Sequence, residues 1–445
     1  MAKTVNMTTG RPIRLILGFA VPILLGNLLQ QLYNLVDSLI VGQLLGVTAL
    51  AAVSASGWLD WAVLSIPMGL AQGFSIQAAQ AFGAGDLKQL RRTSGQSILI
   101  ASVVTVLLEM VSQGALSPML RLINTPAETF HMTESYLRII FAGLPVVMAL
   151  NVSNGFLQAL GDSRTPLVAL AFSSLVNILL DWIFVGPLGM GTDGGAWATV
   201  AAQIVSAGIS LLAIRHVMEL HPRREDLKWD GRMIRRLTRL GFPIAFQNIV
   251  ISIGGLVLQS VVNGFGFIFM AGYNAASRLQ GIIEISGSSL GNAVGTFTGQ
   301  NIGAGNPDRV RQGLRSSALI GFGMALCIGG LLILAGRNVL SLFVHDEKEL
   351  AEQVLTFGYQ FLSVMAIGLP MLYLLFVYRS TLQGLGNTFI PMLSGFVELA
   401  MRVGAALLLP RFFGVWGIYT AEIAAWIGAA ILLIFSCYRE LACLS

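Results

Sequence analysis

The sequence predicts an all-α integral membrane protein whose twelve transmembrane helices form two parallel-repeat six-helix bundles with a central cleft. Three observations lead there. Of 445 residues, 55% are apolar and 11% charged, against about 25% charged residues in an ordinary soluble domain, so apolar surface has to face lipid. Apolar stretches long enough to cross a bilayer core of about 30 Å, which takes about 20 helical residues, recur along the whole chain. The same sequence landmarks also occur twice, displaced by about 220 residues.

The stretches run in order. The first, 14–40, carries Asn27, Gln30, Gln31, Asn34 and Asp37, which the short apolar core of a cleavable signal peptide would not, so it is read as a permanent span. Pro22 lies inside it and removes one backbone hydrogen bond, a place for the helix to bend. The second, 50–76, holds Asp60; the third, 94–117, holds Glu109. The fourth, 134–158, contains Asn151 and Asn154. The fifth, 166–187, contains Asn177 and Asp181, and the sixth, 194–216, contains Thr199, Gln203, Ser206 and Ser210.

A basic stretch precedes the seventh span, 239–264. The eighth, 273–299, holds Glu284 and most of a ridge of glycines at four-residue spacing, Gly287, Gly291, Gly295, Gly299 and Gly303. Such a ridge predicts close helix packing, because lipid tails give helices no hydrophobic reason to associate and backbone approach supplies the contact instead. The ninth and tenth spans, 314–336 and 354–381, carry no acid; the eleventh, 389–410, has Glu398 and Arg402; the twelfth, 414–437, has Glu422. The predicted organisation is an N-terminal six-helix lobe (1–216), a basic cytoplasmic linker (217–238) and a C-terminal six-helix lobe (239–445).

Charge distribution sets the topology. Twenty of the 27 Lys and Arg residues fall on one side of the predicted spans, and Arg278 and Arg402 fall within them. Positive loops stay cytoplasmic, which puts both termini and the basic linker on the cytoplasmic side of the cell membrane. The net charge of +5 is thereby a topology signal with anionic membrane lipid as its partner, rather than a sign of nucleic-acid binding. Cys327, Cys437 and Cys443 are an odd number without metal-ligand spacing, so neither a disulfide framework nor a zinc site is expected. No His-Glu-x-x-His, Gly-x-Ser-x-Gly or P-loop occurs, and Gly189-x-Gly191-x-x-Gly194 lies between two spans and after no strand, where it reads as a turn. An enzyme is not expected.

The duplication is visible residue by residue. Gly83-Ala-Gly85-Asp86 returns as Gly303-Ala-Gly305-Asn306, each followed by basic residues; Gly143-Leu-Pro145 returns as Gly368-Leu-Pro370; and Gln158-Ala-Leu-Gly161 returns as Gln383-Gly-Leu-Gly386. Six spans per half give both copies the same orientation, the arrangement of parallel repeats related by an axis normal to the membrane.

An ionisable group within a span costs a few kcal/mol even on insertion scales, so each intramembrane acid asks for a reason. In the first span Asn27, Gln30 or Gln31, Asn34 and Asp37 recur at three- and four-residue spacing and share one face; Asn177 and Asp181 do the same in the fifth, and Thr199, Gln203, Ser206 and Ser210 in the sixth. Counting direction through the membrane places Asp37, Asp181 and Thr199 together in its outer half. Two carboxylates, an amide oxygen and a hydroxyl suit a hard cation such as sodium, or a proton shared between carboxylates. Shifting by 221 residues puts Leu258 opposite Asp37, Glu398 opposite Asn177 and Arg402 opposite Asp181, so the duplicated fold does not itself require the acids. Glu398 and Arg402, four apart, are expected to pair with each other, while Asp60 and Glu284 are open between a coupling and a structural role.

Together the early proline followed by Asn34-Leu-Val-Asp37-Ser, the Gln300-Asn-Ile-Gly-Ala-Gly305 turn and the Gln-x-x-Gly turns resemble the multidrug and toxic compound extrusion family of the multidrug, oligosaccharidyl-lipid and polysaccharide exporter superfamily. The resemblance implies a secondary active antiporter that exports organic, cationic or amphipathic small molecules in exchange for protons or sodium ions, acts as a monomer and needs no cofactor. It carries the cation-coupling role onto Asp37, Asn177, Asp181 and Thr199, and helix bending onto Pro22. It places Asn151 and Asn154 in the substrate cavity, where Gln30, Asn34, Gln203 and Ser206 are also expected from their stripes. The alternative cargo is a lipid-linked oligosaccharide or related amphipathic lipid, whose pyrophosphate would favour more cavity arginines than Arg278 and Arg402.

Overall fold

Residues 4–123, 125–342 and 348–444 are described by a computed structural model of the chain, and every described regular element is a helix. The order is α1 (Pro12–Leu45), α2 (Val47–Gly83), α3 (Leu87–Leu122), α4 (Ala127–Ala142), α5 (Leu144–Ala159), α6 (Arg164–Val185) and α7 (Gly191–Arg215). A one-turn 3-10 helix, Met218–Leu220, precedes α8 (Gly231–Asn263), α9 (Phe267–Gly303), α10 (Pro307–Leu340), α11 (Lys348–Leu385), α12 (Phe389–Leu408), the four-residue α13 (Pro410–Phe413) and α14 (Val415–Ala442).

Ten of these helices are long and apolar enough to cross a membrane, and the pair α4 and α5, bent by 49°, gives an eleventh span. The remaining long helix, α9, is 37 residues and carries Asn274, Gln280, Glu284 and Asn292 among its apolar residues. Twelve helical passages result, and the protein is an integral membrane protein. The predicted fourth span, 134–158, is this bent pair. Gly143 ends α4 and Pro145 opens α5, where a proline near a helix start leaves no interior carbonyl unpaired. Its copy, Pro370, stays inside the continuous helix α11.

The chain divides into two compact units: Met1–Asn6 with Val21–Ala245, and Met7–Ala20 with Phe246–Ser445. In the first, α6 lies along α7, α2 along α5, and α4 against α2 and α7. In the second, α11 packs along α9, α10 and α14, and α12 along α14. The copied turns survive as geometry. Gly85 and Gly305 both sit at positive φ, 67° and 70°, where a side chain would strain the backbone. The following Asp86 caps α3 by accepting from the Gln89 amide at 2.8 Å.

Small residues set the closest helix approaches. A Cβ on Gly73 would stand 2.4 Å from the Gly241 backbone, and one on Gly69 2.4 Å from Ala245 N, so α2 and α8 touch backbone to backbone in the first unit. The predicted glycine ridge of α9 faces α11, with Gly287 against the Phe376 ring and Gly291 against Ser380. The segment after α7 is also fixed. Gln96 of α3, wholly buried, donates 2.7 Å hydrogen bonds to the carbonyls of Asp226 and Lys228 and accepts from the Asp230 amide at 3.1 Å.

Trp61, Trp182 and Trp197 are exposed on the helix surfaces. The side chain of Trp58 and the residue His345 lie outside the described residues.

Candidate cation-coupling site

The C-terminal part of α1 runs beside α6 and α7. Gly26 faces Leu167 and Leu170, and Gly195 of α7 faces Val41. This brings the two aspartates together: the side chains of Asp37 and Asp181 meet at hydrogen-bonding range. Gly195 closes the site from α7, since a Cβ there would lie 3.8 Å from Asp181 Oδ1 and 4.0 Å from Asp37 Oδ1.

The polar groups around the pair lack donors. Asp181 is fully buried, and neither of its oxygens receives a hydrogen bond from a protein donor. A second carboxylate offers none, because an ionised carboxyl only accepts. Asn177, one turn earlier on α6, is 1% exposed with both its amide oxygen and nitrogen unpartnered. Buried polar atoms are nearly always satisfied. Chemically, a proton shared by the carboxyls, or a cation on Asp37, Asp181 and the Asn177 oxygen, would give these atoms a partner. Thr199 lies one turn along α7 from Gly195, half-buried, beside Ala196 and Val200 of the apolar cluster that joins α2, α4 and α7.

Other predicted residues have separate places. Gln30 and Asn34 are exposed on α1, and Gln30 pairs with Tyr33. Asn151 donates to the Val147 carbonyl at 2.8 Å, while Asn154 accepts from Ser210 at 2.9 Å and so ties α5 to α7. Gln203 is half-buried and Ser206 buried on α7. Pro22 lies inside α1, two residues beyond Ala20, the last α1 residue counted with the second unit.

Sequence reasoning missed Tyr33 and Tyr136, each of which feels the charges of Asp37, Asp60 and Asp181. Tyr33 sits four residues before Asp37, a spacing that could have found it; nothing in the sequence ties Tyr136 to the site. Asp60 joins this group, one of its oxygens buried and unpartnered.

The second unit differs from expectation. Glu398 and Arg402 do not pair with each other. Glu398 pairs with Arg379 of α11, which also donates to Ser394, while Arg402 grips Glu422 of α14 through Nε at 3.1 Å and Nη2 at 2.8 Å and reaches the Ile251 carbonyl. A neighbour four positions along the helix can pair, as Glu134 and Arg138 do at 2.7 Å, but here each member finds its partner on an adjacent helix. Arg379, near the end of the tenth span and counted with the loop charges, is a buried helix residue. Glu284 accepts from Gln280 at 2.8 Å, and Leu258, the counterpart of Asp37, is buried.

The MatE family profile matches residues 22–183 and 243–407, one copy for each half. The chain is 30% identical to the probable multidrug resistance protein YoeA of Bacillus subtilis, covering 95% of this chain and 92% of that one. It is 25% identical to a FAD transporter of Shewanella oneidensis over 68% of each. An outward-facing structure of a multidrug resistance MATE family transporter of the MOP superfamily superposes with a TM-score of 0.92 over 100% of this chain and 99% of that one, at 23% identity. Two matched halves, a full-length relative and a shared fold converge: the chain is a transporter of the multidrug and toxic compound extrusion family, not an enzyme.

Proposed function

We propose that this transporter is a secondary active antiporter, exporting organic cationic or amphipathic molecules in exchange for protons or sodium ions bound at Asp37 and Asp181. The observation that supports this most is the carboxyl pair, Asp181 buried and Asp37 half-buried, beside which the side-chain polar atoms of Asp181 and Asn177 have no protein partner. Two like charges in contact repel unless a proton or cation lies between them. Arrival of the ion neutralises the pair, and with Pro22 breaking the hydrogen-bond ladder, α1 has a place to change its course. Cargo and ion then disfavour one another, a coupling that is reciprocal by thermodynamic linkage.

Cationic or neutral cargo is favoured over an anionic lipid pyrophosphate because Arg379 and Arg402, the buried span arginines, are already matched by Glu398 and Glu422. The relative named as a FAD transporter makes anionic cargo the competing reading. The remaining expectations, both termini cytoplasmic and a monomeric working unit, belong to this proposal.

Proteoliposomes loaded with a fluorescent organic cation test it, with pH and sodium gradients imposed separately. Wild type should export under one of the two gradients, and Asp37→Asn and Asp181→Asn should each abolish gradient-driven export while the protein stays monodisperse. Wild-type export by Asp37→Asn would overturn the assignment. Transport of FAD in place of the cation would overturn the cargo class alone.

A further inference from the structure

We infer that the segment between α7 and α8 is a docking surface for anionic lipid headgroups, held at the membrane boundary by α3. The first support is its fixation. Residues 226–230 are bonded to Gln96, Arg92 pairs with Asp230 at 2.7 Å, and Gly95 has no room for a side chain because a Cβ would stand 2.5 Å from the Asp226 carbonyl. Asp226 turns its own carboxylate back to the Arg223 amide. Both aspartates of the segment are thereby engaged.

The second support is depth. Gln96 is the third residue of the apolar stretch 94–117 of α3, so the backbone bonded to it lies level with the start of that stretch. At that level stand two apolar side chains that the protein leaves uncovered, Leu227 at 40% and Trp229 at 74% exposure. Tryptophan favours the headgroup level, with its ring against acyl chains and its N–H toward water.

The third support is charge. Arg223, Arg224, Lys228 and Arg232 are all exposed around this pair, with Glu225 the exposed acid beside them. An aromatic and aliphatic pair ringed by cations matches an anionic bilayer surface in both its parts: acyl chain below, phosphate above. An acidic protein segment would satisfy the cations but not the depth.

Trp229 itself serves as the probe. The difference between wild type and Trp229→Phe isolates its fluorescence in proteoliposomes of brominated phosphatidylcholine or brominated phosphatidylglycerol, with acrylamide as the aqueous quencher. Brominated phosphatidylglycerol should quench it more strongly than the choline lipid. Each of Arg223→Gln, Arg224→Gln and Lys228→Gln should lower that preference about fivefold, the equivalent of about 1 kcal/mol per cation at an anionic surface. Gln96→Ala, which frees the segment, should shift quenching from lipid to acrylamide. Equal quenching by both lipids, unaffected by the glutamine variants, would overturn the headgroup assignment. Quenching by acrylamide alone would overturn the depth, and protection from all three would mean that a protein segment covers the site.

Discussion

Arg402 and Glu422 illustrate what a single buried charge demands. Both are under a tenth exposed and joined by two hydrogen bonds, so removing one leaves the other desolvated and alone. Glu422→Ala should therefore cost about 3–5 kcal/mol of stability, read as a lowered unfolding temperature in detergent, whereas replacing both residues by methionine should recover most of the loss. These partners were hidden in the sequence for a plain reason. Spacing along the chain reports which residues share a helix face, and it pointed Glu398 at Arg402 four positions on. The partners that win lie on α11 and α14, brought up by helix packing that spacing along one helix does not report. The first unit was legible because its signal lay within single helices: Asp37 on the polar stripe of α1, and Asn177 and Asp181 one turn apart on α6. Tyr136 carries no such periodic mark, and only the packing of α4 against α2 and α7 brings it near the acids.

At the scale of elements, the helices are placed by what they omit. Gly73 and Gly241 let the α2 and α8 backbones touch, and a valine at Gly73 has nowhere to go. Gly73→Val should push the helices apart and sharply reduce the yield of monodisperse protein on size exclusion. Gly114 of α3, by contrast, meets nothing within 4 Å, and Gly114→Ala should be neutral or raise stability by about 0.5–1 kcal/mol through helix propensity. The glycine ridge of α9 was readable because four-residue spacing is itself a packing signal. The break between α4 and α5 was not. The same Gly-Leu-Pro sequence breaks the helix at Gly143 and leaves α11 continuous at Gly368, so the outcome belongs to the surroundings rather than the tripeptide.

At the scale of the molecule, a duplicated chain has become asymmetric. Both units keep the repeated turns, but the first holds unmatched carboxyls, while in the second Glu398 and Glu422 have arginine partners. Glu398→Gln should accordingly lower thermal stability while gradient-driven export persists, the opposite of Asp181→Asn, and proteoliposome transport together with thermal unfolding separates the two. The unpartnered atoms of Asp181 and Asn177 carry a consequence beyond transport. A ligand that binds only the folded state stabilises it by about 2.7 kcal/mol at a hundredfold excess over its dissociation constant. On the proposed reading, the first unit is firmest while it carries its ion and weakest in the moment after release. Each turnover would then pass through a brief window of fragility, and a pump working fast in a depleted gradient would wear out sooner than one standing idle with its site filled.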